Sequence, residues 1–221
     1  MGNQVLPFYL VCDESASMSG APIDSINQAL PELHNEIGSN PVVADKTQFA
    51  IIGFSDDAQV LQPLADLSLV SQLPVLGPRG STSFGEAFRL LKETIDQDVA
   101  RLKSEGSLVY RPVVFFLTDG YPTDGAWDIE YNALIDPGYK YHPNIVAFGI
   151  GDADASTISA VATFRAFMSD GSMSPAQALQ EFAKALTKSI VKSGSTASDD
   201  GMTLQTPDNV PGFTSLAVDS V

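Results

Sequence analysis

Asp13, Ser15 and Ser17 occupy alternate residues of the stretch Val11-Cys12-Asp13-Glu14-Ser15-Ala16-Ser17-Met18-Ser19-Gly20. An apolar run of strand length, Val5 to Val11, precedes it, and a helical pattern opened by Pro22 follows. The stretch therefore reads as a strand-to-helix turn, the place where α/β sheets bind ligands. Alternate residues of an extended segment point the same way, so one carboxylate and two hydroxyls can converge on one point. Hard divalent cations take oxygen ligands of this kind. Three such groups do not complete a metal site, and the remaining donors must come from elsewhere in the chain.

The elements that would supply them follow from hydrophobic periodicity. The first strand is read at Phe8 to Cys12. The first helix runs from Pro22 to Ile37, with Ile23, Ile26, Leu30, Leu33 and Ile37 on one face. A second strand, Thr47 to Phe54, has the continuous apolar core of a doubly covered strand. The link to Ala58-Gln59-Val60-Leu61 is too short for a parallel crossover, so that third strand pairs antiparallel at the sheet edge. Pro63 to Pro78 reads as a loop with one short helix near Leu67 to Gln72. Next come a helix over Ser83 to Lys103, a fourth strand over Pro112 to Thr118 and a helix over Ala126 to Ile135. A fifth strand at Asn144 to Phe148, a short helix at Ala155 to Ala162, a weak sixth strand at Ala166 to Met168 and a last helix at Pro175 to Lys192 complete the pattern.

Strands alternating with helices imply an α/β fold, a doubly wound, mostly parallel six-stranded sheet flanked by helices. The expected strand order is 3-2-1-4-5-6. Its direction reverses between strands 1 and 4, so the ligand crevice lies above their carboxyl ends. Asp13 ends strand 1 and Asp119 ends strand 4. The helix that feeds strand 4 starts on the same face, and Thr82 opens it. Asp13, Ser15, Ser17, Thr82 and Asp119 are thereby expected to meet from three separate segments. Two carboxylates so close repel each other unless a cation lies between them, and Mg²⁺ is the expected occupant, with Mn²⁺ or Ca²⁺ as substitutes.

Asp13-x-Ser15-x-Ser17, Thr82 in Gly-Ser-Thr-Ser-Phe-Gly-Glu-Ala, and Thr118-Asp119-Gly120 together resemble the von Willebrand factor type A (VWA) domain over about residues 5 to 192. That family's metal-ion-dependent adhesion site is built from these three motifs. The resemblance implies that Asp13, Ser15 and Ser17 contact the metal, Asp13 directly or through water. It implies that Thr82 ligates directly when the site is engaged, and Asp119 directly or through water. One position is left open for a partner protein's Asp or Glu. The segment Gly20-Ala21-Pro22-Ile23 through Asn27 further resembles small bacterial VWA proteins associated with tellurite resistance. Two departures stand out. Glu14 replaces a residue more often small or uncharged, and alternation directs it away from the metal. Ser81 stands where many relatives have Gly.

Composition sets the outer limits. The 221 residues include 27 acidic and 12 basic ones, a net charge of −15. That field disfavours nucleic acid and anionic membrane surfaces and favours cations or basic partners. Cys12 alone cannot form an intramolecular disulfide. No leader or membrane span is evident, so a cytoplasmic monomer is expected. Residues 1–192 form the expected domain. Residues 193–221 read as a Ser/Gly/Pro-containing tail whose apolar patch, Val210, Pro211, Phe213, Leu216 and Val218, docks on the domain or leaves the tail free. Asp124, Asp152 and Asp154 are expected to cap helices, the alternative being that they rim the site and select the partner; Asp56 and Asp57 are expected to serve a turn, and Cys12, His34 and His142 to have packing or solvated roles. Trp127, Tyr121 and Tyr131 are expected to pack in the ordinary way rather than form a partner surface.

The competing functional class is a Mg²⁺-dependent phosphoryl-transfer or hydrolytic enzyme. Against it, Ser15 stands where an aspartyl-nucleophile phosphatase usually has its second acid. The chain has no G-x-x-x-x-G-K-[ST], G-x-G-x-x-G or G-x-S-x-G motif, and no general base apart from the candidate ligands. The expected function is a metal-dependent protein-binding module, not an enzyme.

Overall fold

A computed structural model of the chain describes residues 3–195 and 204–216. The strands are β1 (Gln4–Asp13), β2 (Thr47–Phe54), β3 (Ala58–Ala65), β4 (Leu108–Val109), β5 (Val113–Thr118), β6 (Asn144–Gly149), β7 (Arg165–Ser169) and β8 (Phe213–Leu216). The helices are α1 (Ala21–Gly38), α2 (Pro41–Ala44), α3 (Phe84–Ser104), α4 (Trp127–Ile135), α5 (Ala155–Val161) and α6 (Pro175–Ser195). One sheet runs β3-β2-β1-β5-β6-β7-β8, with β4 paired to the start of β1. Its strands are parallel except at the β2–β3 and β7–β8 edges. The expected order of the six main strands is the observed one.

The alternation along β1 explains the layering. Leu6, Phe8, Leu10 and Cys12 face α1 and α6, whereas Val5, Tyr9 and Val11 face α3, α4 and α5. A strand apolar on both faces is stable only when helices cover both, and every residue of β1 after Gln4 is buried. Beneath the crevice, on the α3–α4 side, lies an aromatic layer. The Phe84 ring meets Phe54, Phe116 and Trp127 edge-on with centroids 4.9–5.8 Å apart, and Trp127 also touches Phe88 and Tyr131. Trp127 and Tyr131 therefore pack as expected, while Tyr121 is 58% exposed. Among the described residues no helix is long and apolar enough to cross a membrane.

The differences from expectation have physical reasons. The sheet has eight strands rather than six. β4 is only two residues long and leaves no periodic signal in the sequence. β8 alternates Phe213 and Ser215 within a polar stretch, so its short pattern reads as tail. Yet β8 pairs antiparallel with β7, Phe213 opposite Ser169 and Leu216 opposite Ala166. The boundary expected at residue 193 falls inside α6, and Val210 and Phe213 join the core beside Phe148. Val218 lies outside the described residues. β3 continues past Leu61 through Pro63 to Ala65, which an edge strand tolerates because one side of its ladder is unpaired. The turn near Leu67 is a short 3-10 turn, Leu67–Leu69.

Phe213 is 8% exposed and its ring stands edge-on to Phe148 at 5.4 Å. Phe213→Ala should lower unfolding free energy by about 3 kcal/mol, measured by urea denaturation, because it empties an aromatic slot at the sheet edge. An unchanged midpoint would show that the strand adds nothing to the domain.

Candidate metal centre

Asp13 is the last residue of β1, and Thr118 the last of β5. Cys12 pairs with Leu117, so these two stand next to each other one step higher. The Asp13 carboxylate is wholly buried. Its Oδ1 accepts from the Ser15 amide at 2.7 Å, closing a tight turn that a short acidic side chain favours. Its Oδ2 accepts from Thr118 Oγ1 at 2.6 Å, and that hydroxyl in turn accepts from the Gly120 amide at 3.2 Å. Ser15 Oγ lies 2.9 Å from Ser17 Oγ, and Ser17 donates to Asp119 Oδ1 at 2.7 Å. The chain from Asp13 through Ser15 and Ser17 to Asp119 is thus continuous.

Thr82 reaches the same spot from the loop before α3. A methyl group placed on Gly120 would lie 3.7 Å from Thr82 Oγ1 and 4.0 Å from Ser17 Oγ, so both hydroxyls border one point above β5. The Thr82 backbone is fixed on both sides. Its amide donates to Thr123 Oγ1 at 3.2 Å, and its carbonyl accepts from the Thr123 amide at 2.8 Å. The five sequence-predicted residues therefore border one crevice at the carboxyl ends of β1 and β5.

Burial pushes the Asp13 carboxyl up to about 6, against the hydrogen bonds from Ser15 and Thr118. Burial also raises Asp119, and the nearby Asp152 carboxylate adds to that. Neither Asp13 nor Asp119 has an ion pair among the described residues. Two carboxylates and three hydroxyls form an oxygen-only donor set whose charge a divalent cation would offset. Among the described residues no three His, Cys, Asp or Glu side chains cluster as a metal site, so any ion here relies on the hydroxyls. The donor set fits a hard cation better than zinc, which favours nitrogen and sulfur.

Two neighbours act in ways the sequence did not signal. Thr118, quoted only as part of its motif, holds Asp13. Asp124 does not cap α4, whose N-terminal Ala126 has no side-chain cap. It caps α3 instead, accepting from the Phe84 and Gly85 amides at 3.0 and 2.6 Å and from Ser83 Oγ at 3.1 Å. Asp154 caps α5 as expected. Asp152 is exposed, and its charge adds to the raised proton affinity of Asp119. Cys12 is buried and its thiol is raised by burial, as an inert core residue should be.

Glu14 points away from the crevice, as alternation requires, but its role is structural and specific. Its buried carboxylate accepts from the Gly77 amide at 3.1 Å and from Arg79 Nε and Nη2 at 3.2 and 3.1 Å. Arg79 also binds the Gly53 carbonyl at 3.3 Å and pairs with Asp57. A side chain on Gly53 would collide with the Glu14 carboxylate. Asp56 accepts from the Ser81 amide at 2.9 Å, and Asn27 clasps Leu76 through two 2.8 Å bonds. Asp56 and Asp57 are thus more than turn residues: with Glu14 they lash the loop that carries Thr82 to the top of the sheet.

The chain belongs to the von Willebrand factor type A domain family, whose model matches residues 8–183. Members of this family commonly hold a divalent metal at a metal-ion-dependent adhesion site and serve protein interaction. The pilus adhesin SpaC from Lactobacillus rhamnosus GG, in an open conformation, is similar with a TM-score of 0.63 at 16% identity, covering 86% of this chain and 30% of its own. A von Willebrand factor type A protein from Catenulispora acidiphila gives 0.60 at 17%, covering 85% and 43%. Proximal thread matrix protein 1 from the mussel byssus, solved with a zinc-occupied metal-ion-dependent adhesion site, gives 0.58 at 17%, covering 86% and 48%. The chain spans less than half the length of each of these proteins, and at such identities the likeness shows the fold. No curated protein sequence matches the chain significantly.

Removing Arg79 leaves Glu14 buried and unpaired, which is costly. Because the Arg79 side chain is 30% exposed, Arg79→Met should destabilise the fold by about 2–3 kcal/mol rather than the full buried-pair penalty. The double variant Glu14→Gln/Arg79→Met should recover more than half of that loss in a urea-denaturation cycle. Additive losses would show that the two side chains are not coupled.

Proposed function

We propose that this chain is a metal-dependent protein-binding module. Asp13, Ser15, Ser17, Thr82 and Asp119 hold Mg²⁺, with Mn²⁺ or Ca²⁺ as substitutes, and leave a coordination position for an Asp or Glu of a partner protein. The observation that carries this reading is the run of contacts from Asp13 (through the Ser15 amide) by way of the Ser15 and Ser17 hydroxyls to Asp119, with no cationic side chain among the described residues paired to either acid. Three of the five donors are neutral, so a bound dication keeps part of its charge and attracts an incoming carboxylate.

Each residue has a separate task. Asp13 anchors the site from the floor, its orientation set by Thr118 and the Ser15 amide. Ser15 and Ser17 supply hydroxyls from the turn, and Asp119 supplies the second charge at the half-buried wall. Thr82 approaches from a loop fixed by Thr123, Asp56 and the Glu14–Arg79 pair. No residue is assigned a proton-transfer role, and the proposal contains no catalytic step. A cytoplasmic bacterial setting of the tellurite-resistance type belongs to the same proposal, supported by the Gly20–Asn27 segment and the compact single-domain layout.

Calorimetric titration with Mg²⁺ should give one saturable site, lost in Asp13→Ala and weakened at least about tenfold in Thr82→Ala, which removes one direct ligand. Partner capture from cell extract should require Mg²⁺ and fail with EDTA or with Asp13→Ala, while circular dichroism shows the fold intact. Partner capture that survives both treatments would overturn the proposal.

A further inference from the structure

The second feature with chemical character lies at the opposite pole, below the amino ends of the parallel strands. The chain has only 12 lysines and arginines against 27 acids. Arg79, Arg89, Lys92, Arg101, Arg165 and Lys184 each pair with a carboxylate. Among the described residues Lys103, Arg111, Lys140, Lys188 and Lys192 have no ion pair; the last two lie on α6, and the first three line one cavity of about 190 Å³. Those three come from three segments: the last turn of α3, the β4–β5 link and the α4–β6 loop. Val99, Val109, Tyr110, Pro112 and Tyr141 complete its walls, and no carboxylate lines it.

Neutral groups hold two of these cations in place. Lys103 Nζ lies 4.4 Å above the Tyr141 ring and donates to Tyr141 Oη at 3.1 Å. Arg111 Nη1 donates to the His142 carbonyl at 2.6 Å. An adjacent pair gives the contrast: Lys92 lies 4.3 Å above Tyr139 in the same manner, but Asp96 neutralises it at 3.2 Å. Burial lowers the nearby His142, and the Arg111 charge lowers it further. Complementing the α3 dipole explains a lysine in its last turn. It does not explain cations from two other segments turned to the same cavity.

We propose that this cavity binds a phosphate group, free or carried by a small monoester. Three positive charges call for an occupant with more than one negative charge. The fork of Arg111 suits two oxygens of one tetrahedral anion, with Lys103 and Lys140 as point charges. The volume lies below the ~300 Å³ at which ligand pockets usually begin, so the cavity takes the anionic group itself rather than a whole nucleotide. Cations already positioned by Tyr141 and the His142 carbonyl lose little freedom on binding. The proposal is independent of the metal centre.

The test is an amide NMR titration of the full chain in metal-stripped buffer, with ionic strength held constant by NaCl. Inorganic phosphate and phenyl phosphate are the two probes. Saturable shifts centred on residues 103, 111 and 140–142 are expected, with affinity reduced at least about tenfold in Lys103→Gln/Arg111→Gln. Tighter saturation by phenyl phosphate would mark a monoester packed on the tyrosines as the occupant, and equal or weaker saturation the free ion. All three cations are exposed, and Lys140→Gln in its loop supplies the same readout if the double variant unfolds. Shifts that NaCl reproduces, that never saturate, that persist in the variants or that centre on residues 13, 82 and 119 would overturn the proposal.

Discussion

The carboxylate of Asp13 is buried at the top of the central strand without a counter-charge among the described residues, and much of the upper face is arranged around that fact. Burying an ionised group is tolerated only when hydrogen bonds or opposite charge compensate the lost water. Here the Ser15 amide and the Thr118 hydroxyl provide two bonds, and neither is a cation. The protein therefore keeps a carboxylate whose proton affinity is raised in the one place where two parallel strands end side by side. A divalent ion would be the simplest partner for such a group, and the hydroxyl-rich surroundings would leave that ion electron-poor.

Positioning the remaining donors falls to side chains that never reach the crevice. Thr82 belongs to a loop, and loops hold geometry only when their backbone groups are tied down. Thr123, Asp56, Asn27 and the Glu14–Arg79 pair do this from four directions. Asp124 secures the first turn of α3 directly behind it. Gly85 leaves room for that carboxylate, since a methyl there would come within 2.7 Å of it. The acidic surplus of the sequence thus has structural work near the site in addition to its general effect on solubility.

Much of this was legible in the sequence because it depends on direction alone. Strand order and the reversal between the first and fourth main strands place Asp13 and Asp119 together before any distance is known. The helix entering from above then delivers Thr82. What was not legible depends on side chains that cross between segments. Asp124 lies just ahead of α4 in sequence and looks like its cap, but in space it faces the amides of α3. Glu14 is excluded from the crevice by alternation, yet nothing local reveals Arg79, 65 residues on, as its partner. β8 was hidden for another reason: four residues paired at an edge carry too little periodicity to stand out from a polar tail.

The aromatic layer under the crevice has a practical consequence. Trp127 is the chain's one indole, half-buried between the first turns of α3 and α4, against Phe84 and Phe88. Phe84 follows Thr82 by two residues, so a shift of that loop would be transmitted to the indole through a single ring contact. Nature has in effect placed an intrinsic fluorophore one side chain away from the mouth of the domain, and its emission reports on a single location instead of an average over many.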